Sequence, residues 1–270
     1  MPDLINALEK IGEGYINRKG TDAGAILGIE RLKRSSQGIK KCVIAPRLTR
    51  RVVVRAVQEK AELIITIIPP SLTRKNSQKI ETANFELLQI LIKNNIGIYS
   101  IGLDWFSGER GGFDFLLKLI DFAYTSPLPL EIFGEKQKLI IGRLGEKEVP
   151  ISLKELLGLL DQFVEQKLQF IGYIDKPIQK VAVFLEIVDE EAIYEITRNN
   201  NIDAVIFGEI SYEALVVAHL NKLTFCVVGQ RELENILLIG IQRRLQEELP
   251  LSLPELIMFK QEKIVHHFTT

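Results

Sequence analysis

The chain has few of the side chains that commonly bind transition metals. Its 270 residues include three histidines and two cysteines. Zinc sites and catalytic triads need ligands that converge from rigid elements, and the spacing of His219, His266 and His267 gives no sign of such a site. Cys42 and Cys226 each lie in an apolar run without CxxC spacing, so we predict buried structural thiols and no disulfide.

The sequence also lacks a strong net charge and a long apolar run. The formal net charge is −1, and no uninterrupted apolar stretch approaches the ~20 residues needed to cross a bilayer. The first residues lack the basic region and the apolar core of a signal peptide. We therefore predict a cytoplasmic protein with no membrane partner, and we do not expect a nucleic acid partner.

Signatures of several enzyme classes are missing as well. The chain has no GxxxxGK[ST] loop, no GxGxxG after a strand and no GxSxG elbow. The glycine-rich stretch 108–112 lacks the spacing of a phosphate-binding loop. We predict that it forms a turn before a helix over residues 113–122.

Short apolar runs that alternate with amphipathic segments make up most of the sequence. They predict strands at 41–45, 63–68, 97–101, 168–173, 181–186, 203–208 and 223–229. They predict helices at 49–60, 83–94, 189–200 and 212–221, and a long helix that ends at 248. Ser152 and Glu155 form a capping box, and its helix should run to about Lys167. A break at 126–129 divides the chain into two α/β halves, residues 1–126 and 127–270.

Two stretches of the first half resemble motifs of a known family. Ala61-Glu-Leu-Ile-Ile-Thr-Ile-Ile-Pro69 is similar to a strand that reads A-D-L-I-I-S-His-His-Pro in that family. Ile96-Gly-Ile-Tyr-Ser-Ile-Gly-Leu-Asp-Trp105, followed by Gly111-Gly112, resembles I-x-V-Y-S-x-His-Thr-Asn-x-Asp…G-G. The early stretch Asp22-Ala-Gly-Ala-Ile-Leu-Gly28 is similar to D-N-x-G-L-x-x-G.

The second half continues the resemblance in the same order. Ile141-Gly-Arg-Leu-Gly145 and Pro150-Ile-Ser-Leu-Lys-Glu-Leu156 are similar to G-R-x-G and S-L-x-E-L. Phe207-Gly-Glu-Ile-Ser-Tyr212 resembles T-G-D-x-K-Tyr-His, and Val228-Gly-Gln-Arg-Glu-Leu-Glu234 resembles G-His-x-x-Thr-Glu. The ordered conjunction of these motifs is more specific than any one of them.

On these motifs the chain resembles the NIF-three-like family, also labelled type-two GTP cyclohydrolase I homologues, over essentially its whole length. The resemblance implies an α/β fold of two similar halves, with mixed sheets covered by helices, and a cleft that binds two metal ions. It also implies a ring-shaped homo-oligomer, most often a hexamer. The length matches the short form of the family.

The resemblance places most of the family's metal ligands on residues that cannot bind metal. Six positions correspond to ligands: Ile67, Ile68, Gly102, Phe106, Gln230 and Glu234. Only Glu234 keeps the residue of the family. In a shifted alignment Asp104 takes the place of Phe106, and a further family histidine falls on Glu213. One or two carboxylates cannot offset the repulsion and dehydration of two divalent ions.

We therefore predict a non-catalytic family member with a degenerate dinuclear site and no metal or other cofactor. It would act as an oligomeric scaffold or as a module that binds an unknown protein or small molecule. The alternative is a hydrolase- or cyclohydrolase-like enzyme for a nucleotide-like substrate that works without metal. Its acid or base would be one of four carboxylates: Asp104, Glu209, Glu213 and Glu234. A third hypothesis is a ring that binds nucleic acid through residues 47–55.

Overall fold

In a computed structural model of the protein, the described residues form two mixed sheets, and each sheet is associated with helices. The described residues are 4–12, 24–34, 38–70, 82–102, 104–131, 138–184, 197–198 and 201–261. The chain divides into two compact units, one formed by 1–105 with 241–270 and the other by 106–240. Such units do not define folding domains, so the division into halves at residue 126 stays a prediction.

The first unit contains a five-stranded sheet. Its strands are β1 (Gly24–Leu27), β2 (Lys41–Ala45), β3 (Leu63–Thr66), β4 (Gly97–Ser100) and β11 (Glu255–Met258). Their order in space is β1-β4-β3-β2-β11, with β1 antiparallel to β4 and the other pairs parallel. β3 and β4 are buried at every residue, as expected for strands that read as continuous apolar runs.

Helices cover this sheet with their apolar faces. They are α1 (Leu4–Gly12), α2 (Ile29–Lys33), α3 (Arg50–Gln58) and α4 (Thr82–Lys93). The Thr49 hydroxyl caps α3 by accepting a hydrogen bond from the Val52 amide, which satisfies one otherwise free amide of the first turn. α3 buries Val52, Val53 and Ala56. The short helix α5 (Asp104–Ser107) follows β4 and contains the point where the chain leaves the first unit.

The second unit contains a six-stranded sheet. Its strands are β5 (Tyr124–Glu131), β6 (Lys138–Ser152), β7 (Gln169–Ile171), β8 (Pro177–Phe184), β9 (Ala204–Phe207) and β10 (Phe225–Val227). The order is β5-β6-β8-β9-β10-β7, in which β8, β9 and β10 are parallel and the remaining pairs are antiparallel. Its core includes Phe184, Phe207 and Phe225, with successive ring centroids 5.6 and 5.1 Å apart.

In this part of the sequence, four further helices lie entirely within the described ranges. They are α6 (Gly112–Leu119), α7 (Leu153–Asp161), α8 (Tyr212–Leu220) and α9 (Gln230–Glu248). The predicted capping box at the start of α7 is confirmed in both directions, because Ser152 accepts from the Glu155 amide and Glu155 accepts from the Ser152 amide. The hydrogen bonds that the Glu155 carboxylate accepts from the Ser152 amide and from the Ser152 hydroxyl hold its pKa below its usual value. Residues 108–111 form the predicted turn before α6.

Residues 126–129, which the sequence predicted as a break between the halves, are part of a strand. These residues lie inside β5, which pairs with β6 and has a register shift between Leu128 and Pro129. β5 is the edge strand of its sheet, and an edge strand tolerates proline because one side of its backbone needs no ladder hydrogen bonds. α7 also ends earlier than predicted, at Asp161. Most of the helix predicted at 189–200 lies outside the described residues.

Both cysteines are buried and free, as predicted. Burial raises the pKa of both thiols, that of Cys226 to about 12. Neither is therefore a reactive thiolate at neutral pH.

No helix in the described ranges combines the length and the apolar character needed to cross a membrane.

A buried ion pair links three elements of the second unit. Arg143 of β6 donates from Nε to Asp114 Oδ1 at 2.7 Å and from Nη2 to Asp114 Oδ2 at 2.9 Å. The Arg110 amide donates to the same carboxylate at 2.7 Å, and Arg143 also reaches the Thr125 hydroxyl at 3.3 Å. The pair thus joins the turn before α6 to the β5–β6 hairpin.

Removing one partner of this pair should destabilise the fold strongly. Asp114→Ala leaves a buried guanidinium without its counter-charge, and we expect the free energy of unfolding to fall by about 3–5 kcal/mol. Glu86→Ala is the control, because Glu86 forms an exposed pair with Arg50 at 3.3 Å and its loss should change stability by less than about 0.5 kcal/mol. Urea denaturation followed by circular dichroism measures both. Equal effects of the two substitutions would contradict this assignment.

Candidate functional site

The positions that the sequence resemblance assigns to metal ligands are called ligand-equivalent below. Two of those in the first unit are apolar and immediately follow β3. The Ile67 amide donates to the Ala45 carbonyl at 3.3 Å, and the Ile68 amide donates to the Pro46 carbonyl at 2.9 Å. Ile67 is completely buried and Ile68 is partly buried. Neither side chain has a lone pair. The two isoleucines therefore extend the apolar interior of the unit. The paired histidines of the family motif would instead supply two imidazoles.

The third position in the first unit, Gly102, has no side chain. Its amide donates to the Ile67 carbonyl at 3.0 Å, so Gly102 and Ile67 are neighbours across the strand ends. Its φ is +90°, a conformation that favours glycine. A histidine at this position would have to change the backbone as well as the side chain.

The ligand-equivalent position at the start of the second unit is an aromatic core residue. Phe106 is 3% exposed and stacks on Phe113, with ring centroids 5.7 Å apart and an interplanar angle of 27°. The ring thus has an apolar packing role. The side chain of Asp104, the alternative ligand, lies outside the described residues.

Among the six positions assigned to ligands, two have side chains that could coordinate an ion, and these lie one turn apart at the start of α9. Gln230 Nε2 donates to Glu234 Oε1 at 2.8 Å, and Glu234 is 1% exposed. The spacing of four residues places both on one face of the helix. Gln230 Oε1 is buried and has no hydrogen-bond partner among the described residues. The pair offers only oxygen ligands to an ion.

The backbone before α9 is fixed by a glycine that a larger residue could not replace without strain. Gly229 has a φ of +98°, and a Cβ atom there would lie 1.6 Å from Gln166 Nε2. Gln166 Nε2 donates to the Val228 carbonyl at 3.0 Å. Gln166 would have to leave this hydrogen bond if residue 229 had a side chain.

Two other predicted carboxylates lie on the protein surface. Glu209 and Glu213 are exposed. The buried Glu232, which forms an ion pair with Arg231, was not predicted, because no motif in the sequence indicates it. Within the described ranges, no three histidine, cysteine, aspartate or glutamate side chains form a group that could hold a metal ion.

The histidines do not supply the absent ligands in the described part of the chain. His219 is exposed on α8. His266 and His267 lie outside the described residues.

Comparisons with known proteins agree with the resemblance found in the sequence. The chain is 24% identical to the GTP cyclohydrolase 1 type 2 homolog of Clostridium perfringens, over 97% of this chain and 96% of that protein. Its fold is similar to the Bacillus cereus protein related to NIF3, with a TM-score of 0.74, 16% identity and 98% of each chain covered. It is also similar to reduced HcgD from Methanocaldococcus jannaschii, with a TM-score of 0.73, 20% identity, and 94% and 95% covered.

The profile of one family matches nearly the entire sequence. The match covers residues 2–263. The prediction of the family is thereby confirmed, together with the α/β fold of mixed sheets and helices. The chain belongs to the Duf34/NIF3 (NGG1p interacting factor 3) family.

Proposed function

We propose that this protein is a non-catalytic member of the Duf34/NIF3 family with a degenerate dinuclear metal site. In this proposal it acts in the cytoplasm as an oligomeric scaffold or ligand-binding module. The observation that supports the proposal is the side-chain chemistry at the six ligand-equivalent positions. Four of them offer no donor atom: Ile67, Ile68, Gly102 and Phe106.

The residues present do not fit a pair of metal ions. Two divalent ions at close distance need several anionic or imidazole ligands, each oriented by further hydrogen bonds. The first unit supplies none at its three positions. The second unit supplies one neutral amide and one carboxylate, and these are hydrogen-bonded to each other at 2.8 Å.

The replaced positions also have a positive role in packing. Ile67 and Phe106 are buried, and each contributes apolar area that stabilises its own unit. A polar ligand at either position would lose that contribution. Because this ligand set would neither lower the pKa of a bound water nor polarise a substrate, we propose no catalytic step.

The metal-independent enzyme stays the alternative, and two observations weigh against it. Acid–base catalysis by paired carboxylates needs a site in which burial or a close like charge raises one pKa. Glu209 and Glu213 are exposed instead. Glu234 is buried, but it accepts a hydrogen bond from Gln230.

The nucleic acid hypothesis is weakened by the pairing of its arginines. Arg50 Nη1 lies 3.3 Å from Glu86 Oε2, and Arg55 Nη2 lies 2.7 Å from Glu59 Oε1. These carboxylates reduce the positive potential that a phosphate backbone would need.

Rebuilding the ligand set should require more than the paired histidines. The variant Ile67→His/Ile68→His should not bind Zn²⁺ or Mn²⁺ tightly, because the other positions still lack ligands. Adding Phe106→Asp and Gln230→His should give measurable affinity, and the loss of the buried ring should cost about 3–5 kcal/mol of stability. Isothermal titration calorimetry measures binding, and thermal denaturation measures the cost.

The unmodified protein serves as the control for these titrations. We expect it to bind neither ion stoichiometrically. Turnover of GTP by this protein that stops with a chelator and returns with zinc or manganese would contradict the proposal.

Self-association is the second part of the proposal, and an exposed apolar stripe on α8 supports it. Tyr212, Val216 and Leu220 follow one another at a spacing of four residues on one face of the helix. Tyr212 is 75% exposed and Leu220 is 73% exposed. Subunit contacts would cover such side chains in a homo-oligomer. We propose a homohexamer in accordance with the family resemblance.

Light scattering tests this assembly. We expect a mass near that of six 30.6 kDa chains, and a smaller mass for Tyr212→Ala/Leu220→Ala because the apolar contact is lost. Leu251→Ala is the control, since Leu251 is equally apolar and fully exposed but lies outside the stripe. A monomer mass that does not change with concentration would contradict the proposed assembly.

A further inference from the structure

Two buried hydroxyl groups lie side by side at the carboxyl edge of the five-stranded sheet. Thr66 is the last residue of β3 and Ser100 is the last residue of β4, and they are partners in the parallel register. Both residues are completely buried. Neither Thr66 Oγ1 nor Ser100 Oγ forms a hydrogen bond with any residue in the described part of the chain.

The two hydroxyls continue a sheet face that is otherwise apolar. Because side chains alternate along a strand, Thr66 shares its face with Ile64, and Ser100 shares its face with Ile98. Both isoleucines belong to a hydrophobic cluster that also contains residues of α3 and α4. Ala45, at the end of β2, is the register partner of Thr66 on the other side. Three adjacent strand ends thus carry small side chains.

Hydroxyls in such surroundings oppose folding unless something bonds to them. Nearly all buried polar side chains in proteins have a partner, and valine or alanine would fill the same space without the desolvation penalty. The buried Thr224 follows this rule, because its Oγ1 accepts from Lys176 Nζ at 2.9 Å. We therefore expect the hydroxyls of Thr66 and Ser100, at the carboxyl ends of β3 and β4, to have a hydrogen-bond partner.

We infer that one uncharged oxygen atom bridges Thr66 Oγ1 and Ser100 Oγ. Neighbouring strands lie about 4.8 Å apart, and an oxygen at about 2.8 Å from both hydroxyls would make an angle of roughly 120°, which suits a hydrogen-bonded oxygen. The neighbours Ala45, Ile64 and Ile98 carry no charge to compensate an ion. The carboxyl edge of parallel strands is also where α/β sheets receive ligands.

The bridging oxygen has two possible sources. One is an internal water, which in proteins commonly bonds to buried polar groups. The other is the hydroxyl or carbonyl oxygen of a small neutral ligand, and this source rests on the proposed ligand-binding function. The first does not. Metal binding is independent of both, so a failure of the metal argument is separable from a failure of this one.

The stability of hydroxyl-deletion variants tests the bridge. We expect Thr66→Val and Ser100→Ala each to raise the unfolding equilibrium constant about fivefold. In the double variant the unfolding equilibrium constant should rise by less than the product of the two single effects, because the second substitution acts on a bridge that is already broken. Thr224→Val is the control for the loss of a visible hydrogen bond. Unchanged or lower constants for both single variants, with a raised constant for Thr224→Val, would overturn the inference.

A comparison of native and refolded protein distinguishes the sources. With a water, the effect of Thr66→Val persists after refolding in ligand-free buffer, and mass spectrometry of the native protein shows no added mass. If the oxygen belongs to a ligand, native protein releases a small neutral molecule on denaturation. The effect of Thr66→Val on the unfolding equilibrium constant then disappears after refolding in ligand-free buffer. An absence of any effect in both preparations would overturn both sources.

Discussion

The parallel pairing of β2, β3 and β4 is the constraint on which the arrangement of the first unit depends. It brings three strand ends to one edge, so that Thr66 and Ser100 are register partners and Gly102 donates to the Ile67 carbonyl at 3.0 Å. Whatever occupies the positions after these strands is then held in a fixed place. The residues that the sequence resemblance assigns to metal ligands at these strand ends are apolar or lack a side chain, whereas Thr66 and Ser100 just before them are polar and buried.

The sequence predicts the elements whose local pattern agrees with their final surroundings. β2, β3 and β4 are buried on both faces and read as continuous apolar runs, and the Ser152 capping box predicts the start of α7. β5 and β6 were not predicted because the prolines of β5 and the glycines of β6 argue against strands when they are read locally. A Cβ atom on Gly145 would lie 2.7 Å from Leu117 Cδ2. Packing therefore requires glycine at this position of β6. Glycine is unfavourable in a strand interior, so local propensity does not predict this strand.

The candidate site could be located from the sequence only as an ordered set of motif positions. That order identifies Ile67, Gly102 and Phe106 as places without a ligand, because residue type alone decides whether a donor atom exists. Burial and pairing could not be predicted in the same way. The burial of Glu234 and the lack of a hydrogen-bond partner for the Thr66 hydroxyl among the described residues depend on tertiary packing. Threonine at the end of a strand is unremarkable until its surroundings are known.

The proposed loss of the ligand set is best tested by the metal content of the purified protein. Elemental analysis by mass spectrometry should be made on protein without an affinity tag, after dialysis against metal-free buffer. We expect no stoichiometric zinc, iron or manganese, because Gln230 and Glu234 alone cannot hold two ions. One or two equivalents of tightly held metal, with ions located near Glu234 in a crystal structure, would contradict it.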